Sequence, residues 1–176
     1  MMSGTLLIVL ALAQPAQTAQ PAANPTIGSV RSTYDVVKGY LLKAAEQVPE
    51  EQYAFKPAPE VRSMGQLFGH VADANFMICG MASGQKGTMS DVEKTKTTKK
   101  DLQDALAASF KFCDSAFDGL TEARAGEAVA KFFLPGSHSR LGVLAFNNAH
   151  DFEHYGNIVT YMRIKGLVPP SSQRGM

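Results

Sequence analysis

Apolar side chains recur at three- and four-residue intervals in four long stretches of this chain, the period of helices with one buried face. The first stretch follows Asn24-Pro25-Thr26 and carries Val30, Tyr34, Val37, Leu41 and Val48. It must stop before Pro49, Pro57 and Pro59, because proline lacks the amide that continues a helix. The second opens at Ser63, where Ser63-Met64-Gly65-Gln66 fits a capping box, and its stripe is Leu67, Val71, Ala74, Ile78 and Met81. Gly84 is its expected stop. The third spans about residues 98–120, capped by Thr98, with Asp101 in the electropositive first turn. Leu102, Leu106, Phe110, Cys113 and Phe117 share its buried face. The fourth spans about residues 139–165, ends at Gly166 and is sealed by Pro169-Pro170. Val143, Asn147, His150, His154, Ile158 and Tyr161 lie on one side of it.

Four amphipathic helices of this length imply an all-α four-helix bundle. Residues 83–98 form a long link between the second and third helices. Antiparallel neighbours usually need only about 2 to 8 residues. A link this long can cross the bundle and leave those two helices parallel. Residues 121–138 are a second long connection, with a short extended piece expected at 131–134.

Cys79 falls sixteen residues after Ser63 and Cys113 fifteen after Thr98. In parallel helices the two sulfurs would stand at one height and could pair. The alternative is two buried free thiols acting as small apolar residues. The sequence leaves both open.

The 176 residues suit one domain, and 45% hydrophobic composition with mean hydropathy −0.09 reads as soluble and globular. A net charge of +1 is far from the basic footprint of a nucleic-acid binder. The lysines at 86, 94, 96, 99 and 100 read as a solvated loop running into a helix. Residues 1–24 differ: an apolar run at 6–13 precedes an Ala/Gln/Pro/Thr-rich tail. This resembles a secretory signal peptide, although no Lys or Arg precedes the apolar run; a disordered leader is the other reading. The run is too short to span a bilayer. Export to the periplasm is therefore expected, with a cytoplasmic location as the alternative, and residues 25–176 are the folded domain.

The chemistry concentrates in the histidines. There are four, and His150 and His154 are one helical turn apart on one face. His70 lies at the edge of the second helix's stripe. Three neutral imidazoles buried without partners would leave polar nitrogens unsatisfied, and a shared metal removes that cost. Three histidines with an open fourth position are the ligand pattern of catalytic zinc. Imidazole also suits nickel, iron and cobalt, so a divalent transition metal is expected, zinc first. Metal-bound histidines usually donate their other N–H to a carboxylate or carbonyl. Asp73, one turn after His70, and Asp151, beside His150, are the candidates for that orienting role. Glu153 reads as helix surface, Tyr161 as core with its hydroxyl at the rim, and His138 as a loop residue. A ferritin-like di-iron site needs Glu-x-x-His on two helices, and only Asp151-x-x-His154 comes near. No His-Glu-x-x-His, P-loop, Cys-x-x-Cys or Gly-x-Ser-x-Gly motif is present.

The run Ser63-Met64-Gly65-Gln66-Leu67-Phe68-Gly69-His70-Val71-Ala72-Asp73-Ala74 resembles the second helix of the DinB-like superfamily. The segment from His150 through His154 and Tyr161 to Arg163, followed by Lys165-Gly166 and Pro169-Pro170-Ser171, resembles its last helix. The likeness covers about residues 26–172. It implies an up-down-down-up bundle with a long crossover between the second and third helices. It also implies a divalent metal held at the positions of His70, His150 and His154. Characterised members include metal-dependent transferases and isomerases that use low-molecular-weight thiols such as bacillithiol or mycothiol, and dimers are common. The expectation is a metal-dependent transferase or hydrolase acting on a small molecule, with such a thiol as candidate co-substrate and a homodimer as candidate assembly. The apparent leader departs from the cytosolic thiol enzymes and weighs against that co-substrate. The alternative is a bundle of the cell envelope that binds metal or a small ligand without turnover. Neither nucleic acid nor a membrane span is expected.

Overall fold

Side-chain caps set where three of the long helices begin. In the computed structural model, which describes residues 25–88 and 90–173, the helices are α1 (Pro25–Gln47), α2 (Met64–Ser83), α3 (Val92–Thr95), α4 (Lys99–Asp118), α5 (Glu122–Ala125) and α6 (Arg140–Ile164). Ser63 Oγ accepts from Gln66 N, and Gln66 Oε1 accepts from Ser63 N, so the expected capping box closes α2 from both sides. Thr98 caps α4 by accepting from Asp101 N, and Ser139 caps α6 by accepting from Gly142 N. Gly84 ends α2 at φ 77°, a left-handed conformation that costs glycine little. The leader expected over residues 1–24 lies outside the described residues.

Residue pairings give the helix directions. Asn75 meets Ser109 and Cys79 meets Cys113, so α2 and α4 run parallel. His70 faces His150 and His154, while Ala82 meets Arg140, so α2 and α6 run antiparallel. Val30 pairs with Asn148 and Tyr40 stacks on Tyr155, which makes α1 parallel to α6. Tyr34 meets Phe110, and Gln103 reaches Ala45, so α1 and α4 are antiparallel. The four long helices thus run up, down, down, up, and residues 84–98 with α3 cross from one end of the bundle to the other.

The core fills the space these helices enclose. Tyr34, Phe68, Phe110, Leu106, Leu144, Ile158 and Met162 are fully buried. Removing each from water stabilises the fold by about 1.5 to 3 kcal/mol. α2 is buried on most of its circumference and carries no charged residue except Asp73. Where Tyr34 needs a partner for its hydroxyl, it donates to the Phe110 carbonyl at 2.8 Å. Among the described residues no helix is long and apolar enough to cross a membrane.

The extended piece expected at 131–134 is displaced. An antiparallel bridge joins Ala128 to Ser139, with Val129 N donating to His138 O and Arg140 N to Glu127 O. Residues between them form the turn. Phe132 and Phe133 pack on Phe146 of α6, with ring centroids 5.4 and 5.3 Å away, instead of pairing as a strand.

Cys79 and Cys113 are joined by a disulfide across the parallel α2–α4 pair, with Cα atoms 5.3 Å apart and both side chains fully buried. Closing a loop of 34 residues stabilises by about 4 kcal/mol on the chain-entropy account, and measured values usually fall lower. Replacing both cysteines by alanine is therefore expected to cost about 2 to 4 kcal/mol of unfolding free energy in a urea titration of unreduced protein. Two titratable thiols in the denatured, unreduced chain would contradict the bond.

Candidate metal centre

The antiparallel packing of α2 on α6 brings His70 against the turn that carries His150 and His154. The Nε2 atoms of His150 and His154 stand 3.1 Å apart. The His70 ring centroid lies 5.2 Å from that of His150 and 4.6 Å from that of His154. One nitrogen from each ring falls within 4.8 Å of the other two. A tetrahedral ion with bonds of about 2.0 to 2.1 Å sets its nitrogens roughly 3.3 Å apart, so the α6 pair already has the spacing and His70 needs a small closure. The residues fit a metal. His138 is elsewhere: its Nε2 lies 3.1 Å from Pro135 O and its ring against Phe132.

Burial sets the state of the rings. His154 is only 6% exposed. Its burial, helped by the neighbouring His150 and His70 and by Arg62, pulls its pKa down to about 3. Burial also lowers His70, and Arg62 and His150 push the same way against the opposing pull of Glu93. Both imidazoles are therefore neutral near pH 7, the form that binds a metal.

Beneath the rings a file of polar groups runs into the core. Asp151 is fully buried, and its Oδ2 accepts from Asn147 Nδ2 at 3.3 Å. Asn147 Nδ2 also donates to Asn75 Oδ1 at 2.7 Å, and Asn75 Nδ2 donates to Ser109 Oγ at 3.2 Å. Asp151 Oδ1 and His150 Nδ1 face each other at 4.0 Å, and neither has a hydrogen-bond partner. Burial pushes the Asp151 carboxyl up to about 6, against the pull of His150.

Asp73 lies one step further from the rings. Its two oxygens accept from Val92 N and Glu93 N at 2.8 and 2.9 Å, holding the first turn of α3 on α2. Gly69 lets α3 come this close, since a Cβ there would stand 2.7 Å from Glu93 Cα. The docked α3 delivers a residue that periodicity could not find: Glu93 Oε2 is 3.1 Å from His70 Nδ1. Arg62 Nε donates to Glu93 Oε1 at 2.9 Å, and Tyr161 donates its hydroxyl to the Arg62 carbonyl at 3.0 Å. The only sequence hint of Glu93's placement is Val92, an isolated apolar residue in a lysine-rich link, here buried.

A polar cleft of about 600 Å³ opens beside the rings, with His154, Asn157, Glu153 and Tyr161 in one wall and Arg62, Gln66 and Glu93 in the other. Glu153 is exposed at its edge, as expected, and Asn157 Nδ2 stands 3.5 Å from His154 Nδ1.

Comparisons with known proteins agree with the fold. A DinB-like protein from Bacillus subtilis has a solved structure similar to this one at TM-score 0.66 and 20% identity, over 83% of this chain and 99% of that one. A DinB-like protein from Bacillus cereus superposes at TM-score 0.70 and 17% identity, over 82% of this chain and 95% of that one. A conserved protein from Enterococcus faecalis gives TM-score 0.63 and 19% identity over 78% and 95% of the two chains. No curated protein matches. The DinB superfamily model matches residues 33–158, which take in α2, α4 and all three clustered histidines, and the chain belongs to that superfamily.

Proposed function

We propose that this protein is a metal-dependent transferase or hydrolase in which His70, His150 and His154 hold one divalent transition metal, zinc first. The observation that carries the reading is the convergence of three imidazoles from α2 and α6, one nitrogen of each within 4.8 Å of the others, beside a cleft large enough for a small molecule. Bound there, such an ion supplies Lewis acidity and lowers the pKa of a coordinated water or thiol. The chain's own residues do the rest. Burial keeps His154 and His70 unprotonated at neutral pH, so little work is needed to free their lone pairs. Asp151 lies close enough to take the Nδ1 proton of His150 in a hydrogen bond after a small shift of the ring, and Asn147 holds the carboxylate in place. Asp73 acts through α3. Arg62, Gln66 and Asn157 offer the cleft hydrogen-bond donors to a polar substrate.

A buried disulfide also supports export, since such bonds form and persist in oxidising compartments and are rare in the cytosol. In that compartment a cytosolic low-molecular-weight thiol is scarce, and water is the simpler acceptor.

Protein purified without a histidine tag is expected to carry, or to take up, close to one equivalent of zinc, nickel, iron or cobalt by elemental analysis. Less than about a tenth of an equivalent, with no uptake on titration, rules the reading out. His150→Ala and His154→Ala should each weaken zinc binding by more than about 100-fold, exceeding the loss typical of an orienting group. Metal at about a hundred times its dissociation constant should add about 2.7 kcal/mol to stability, and chelation should remove it. Ester hydrolysis or transfer to an electrophile that survives complete chelation would leave binding without catalysis.

The depressed His154 pKa makes a pH prediction for the metal-free protein. A group held below its unfolded value of about 6.5 stabilises fully above that pH, and the contribution is lost as pH falls toward the folded value of about 3. Between pH 7.5 and 5 the wild type should lose about 1 to 2 kcal/mol more than His154→Gln, which cannot titrate. Asp151 titrates in both proteins and drops out of the comparison. Urea titrations at the two pH values check this, and a pH-independent gap between the two proteins overturns it.

A further inference from the structure

We propose that Glu93 is a positioning residue that fixes the tautomer of His70, and that Arg62 fixes Glu93 in turn. The inference rests on the metal reading above for its purpose, though not for its geometry. An ionised carboxylate only accepts hydrogen bonds. With Glu93 Oε2 3.1 Å from His70 Nδ1, the proton of the neutral ring sits on Nδ1. Nε2 is then the bare nitrogen, and it is the one left for the cluster. A neutral imidazole with the opposite tautomer would present an N–H to the other two rings and could not ligate.

Arg62 makes this arrangement directional. Its guanidinium only donates, and its Nε engages Glu93 Oε1 at 2.9 Å. Both carboxylate oxygens therefore face donors, Arg62 on one side and His70 on the other. Arg62 is itself held by Tyr161 through its carbonyl at 3.0 Å. The relay Tyr161–Arg62–Glu93–His70 thus ties α6, the segment before α2, α3 and α2 around the site. The Glu93 side chain is not what docks α3. Asp73 and the Gly69 notch do that through backbone atoms, so its substitution should leave α3 in place.

Glu93→Gln separates the roles because it keeps size and shape. The amide has one acceptor and one donor end. Arg62 claims the oxygen, the NH₂ group then points at His70 Nδ1, and that nitrogen must accept. The His70 proton moves to Nε2, toward the cluster. Glu93→Ala removes the constraint without reversing it, so the conservative change is expected to be the more damaging one.

The test uses the full-length, metal-free protein at pH 7.5, with ring tautomers read from ¹⁵N–¹H correlation spectra and zinc affinity from competition with a chromophoric chelator. Wild-type His70 is expected to carry its proton on Nδ1, and Glu93→Gln to carry it on Nε2. Zinc affinity should fall about 10- to 100-fold in Glu93→Gln, and less in Glu93→Ala. A proton on Nε2 in the wild type overturns the proposal without any variant. So does a Glu93→Gln protein with unchanged tautomer, or one whose tautomer changes while a measurable wild-type zinc affinity is kept in full. If the tautomer responds as expected and even the wild type binds no zinc, the positioning role stands and the metal reading fails. If zinc binds equally to both proteins with one tautomer, the metal reading stands and the positioning role fails.

Discussion

A hydrogen bond between two amides that never meet water fixes where α2 stands against α6. Asn75 and Asn147 are 0% and 1% exposed, and they meet at 2.7 Å in the middle of the bundle. Apolar helix faces tolerate sliding, because one stripe of leucines packs almost as well a turn away. Two buried amides do not, since a slip of one turn, about 5.4 Å, would leave donors and acceptors unpaired at about 1 to 3 kcal/mol each. A single buried polar contact sets register in this way in coiled coils as well. Here the register decides the chemistry: one and two turns along α6 from Asn147 lie His150 and His154, the pair that must find His70.

The same burial acts in opposite directions on neighbouring groups. It strips His154 of its proton and encourages Asp151 to keep one, because in each case the low dielectric disfavours charge. Burial thus favours the uncharged form of His154, of His70 and of the Asp151 carboxyl alike. The unpartnered Asp151 Oδ1 and His150 Nδ1 are the residue of that compromise. They stand 4.0 Å apart, just beyond hydrogen-bond distance of one another.

Much of this was legible in the sequence wherever it followed a period. The capping box at Ser63, the stop at Gly84 and the cap at Thr98 need only local chemistry, and all appear as expected. The His150–His154 pair follows from helical spacing. The parallel course of α2 and α4, on which the cysteine pairing depends, is only allowed by the length of the link; the family resemblance is what implies it. The displaced turn at 131–134 shows where local preference misleads: Phe132, Phe133 and Leu134 have strand-forming side chains, but Phe146 offers the two rings a better place than a ladder does. Glu93 and Arg62 were illegible for a different reason. Arg62 lies in an irregular segment and Glu93 on a single helical turn, and neither stretch is long enough to show a period. Their placement depends on Gly69 and Asp73, residues on another helix whose purpose appears only when α3 is seen resting on them.

The covalent link between Cys79 and Cys113 has a topological consequence. The 33 residues between those cysteines include the whole crossover, and with it α3 and Glu93. The segment is therefore a closed macrocycle anchored at both ends in the bundle interior, not a free tether. If α3 lifts from its seat on Gly69, it can wander no further than the circumference of that ring allows, and the effective concentration of Glu93 near His70 stays high. A surface element of the histidine cluster's scaffolding is thereby leashed by a covalent bond buried in the core.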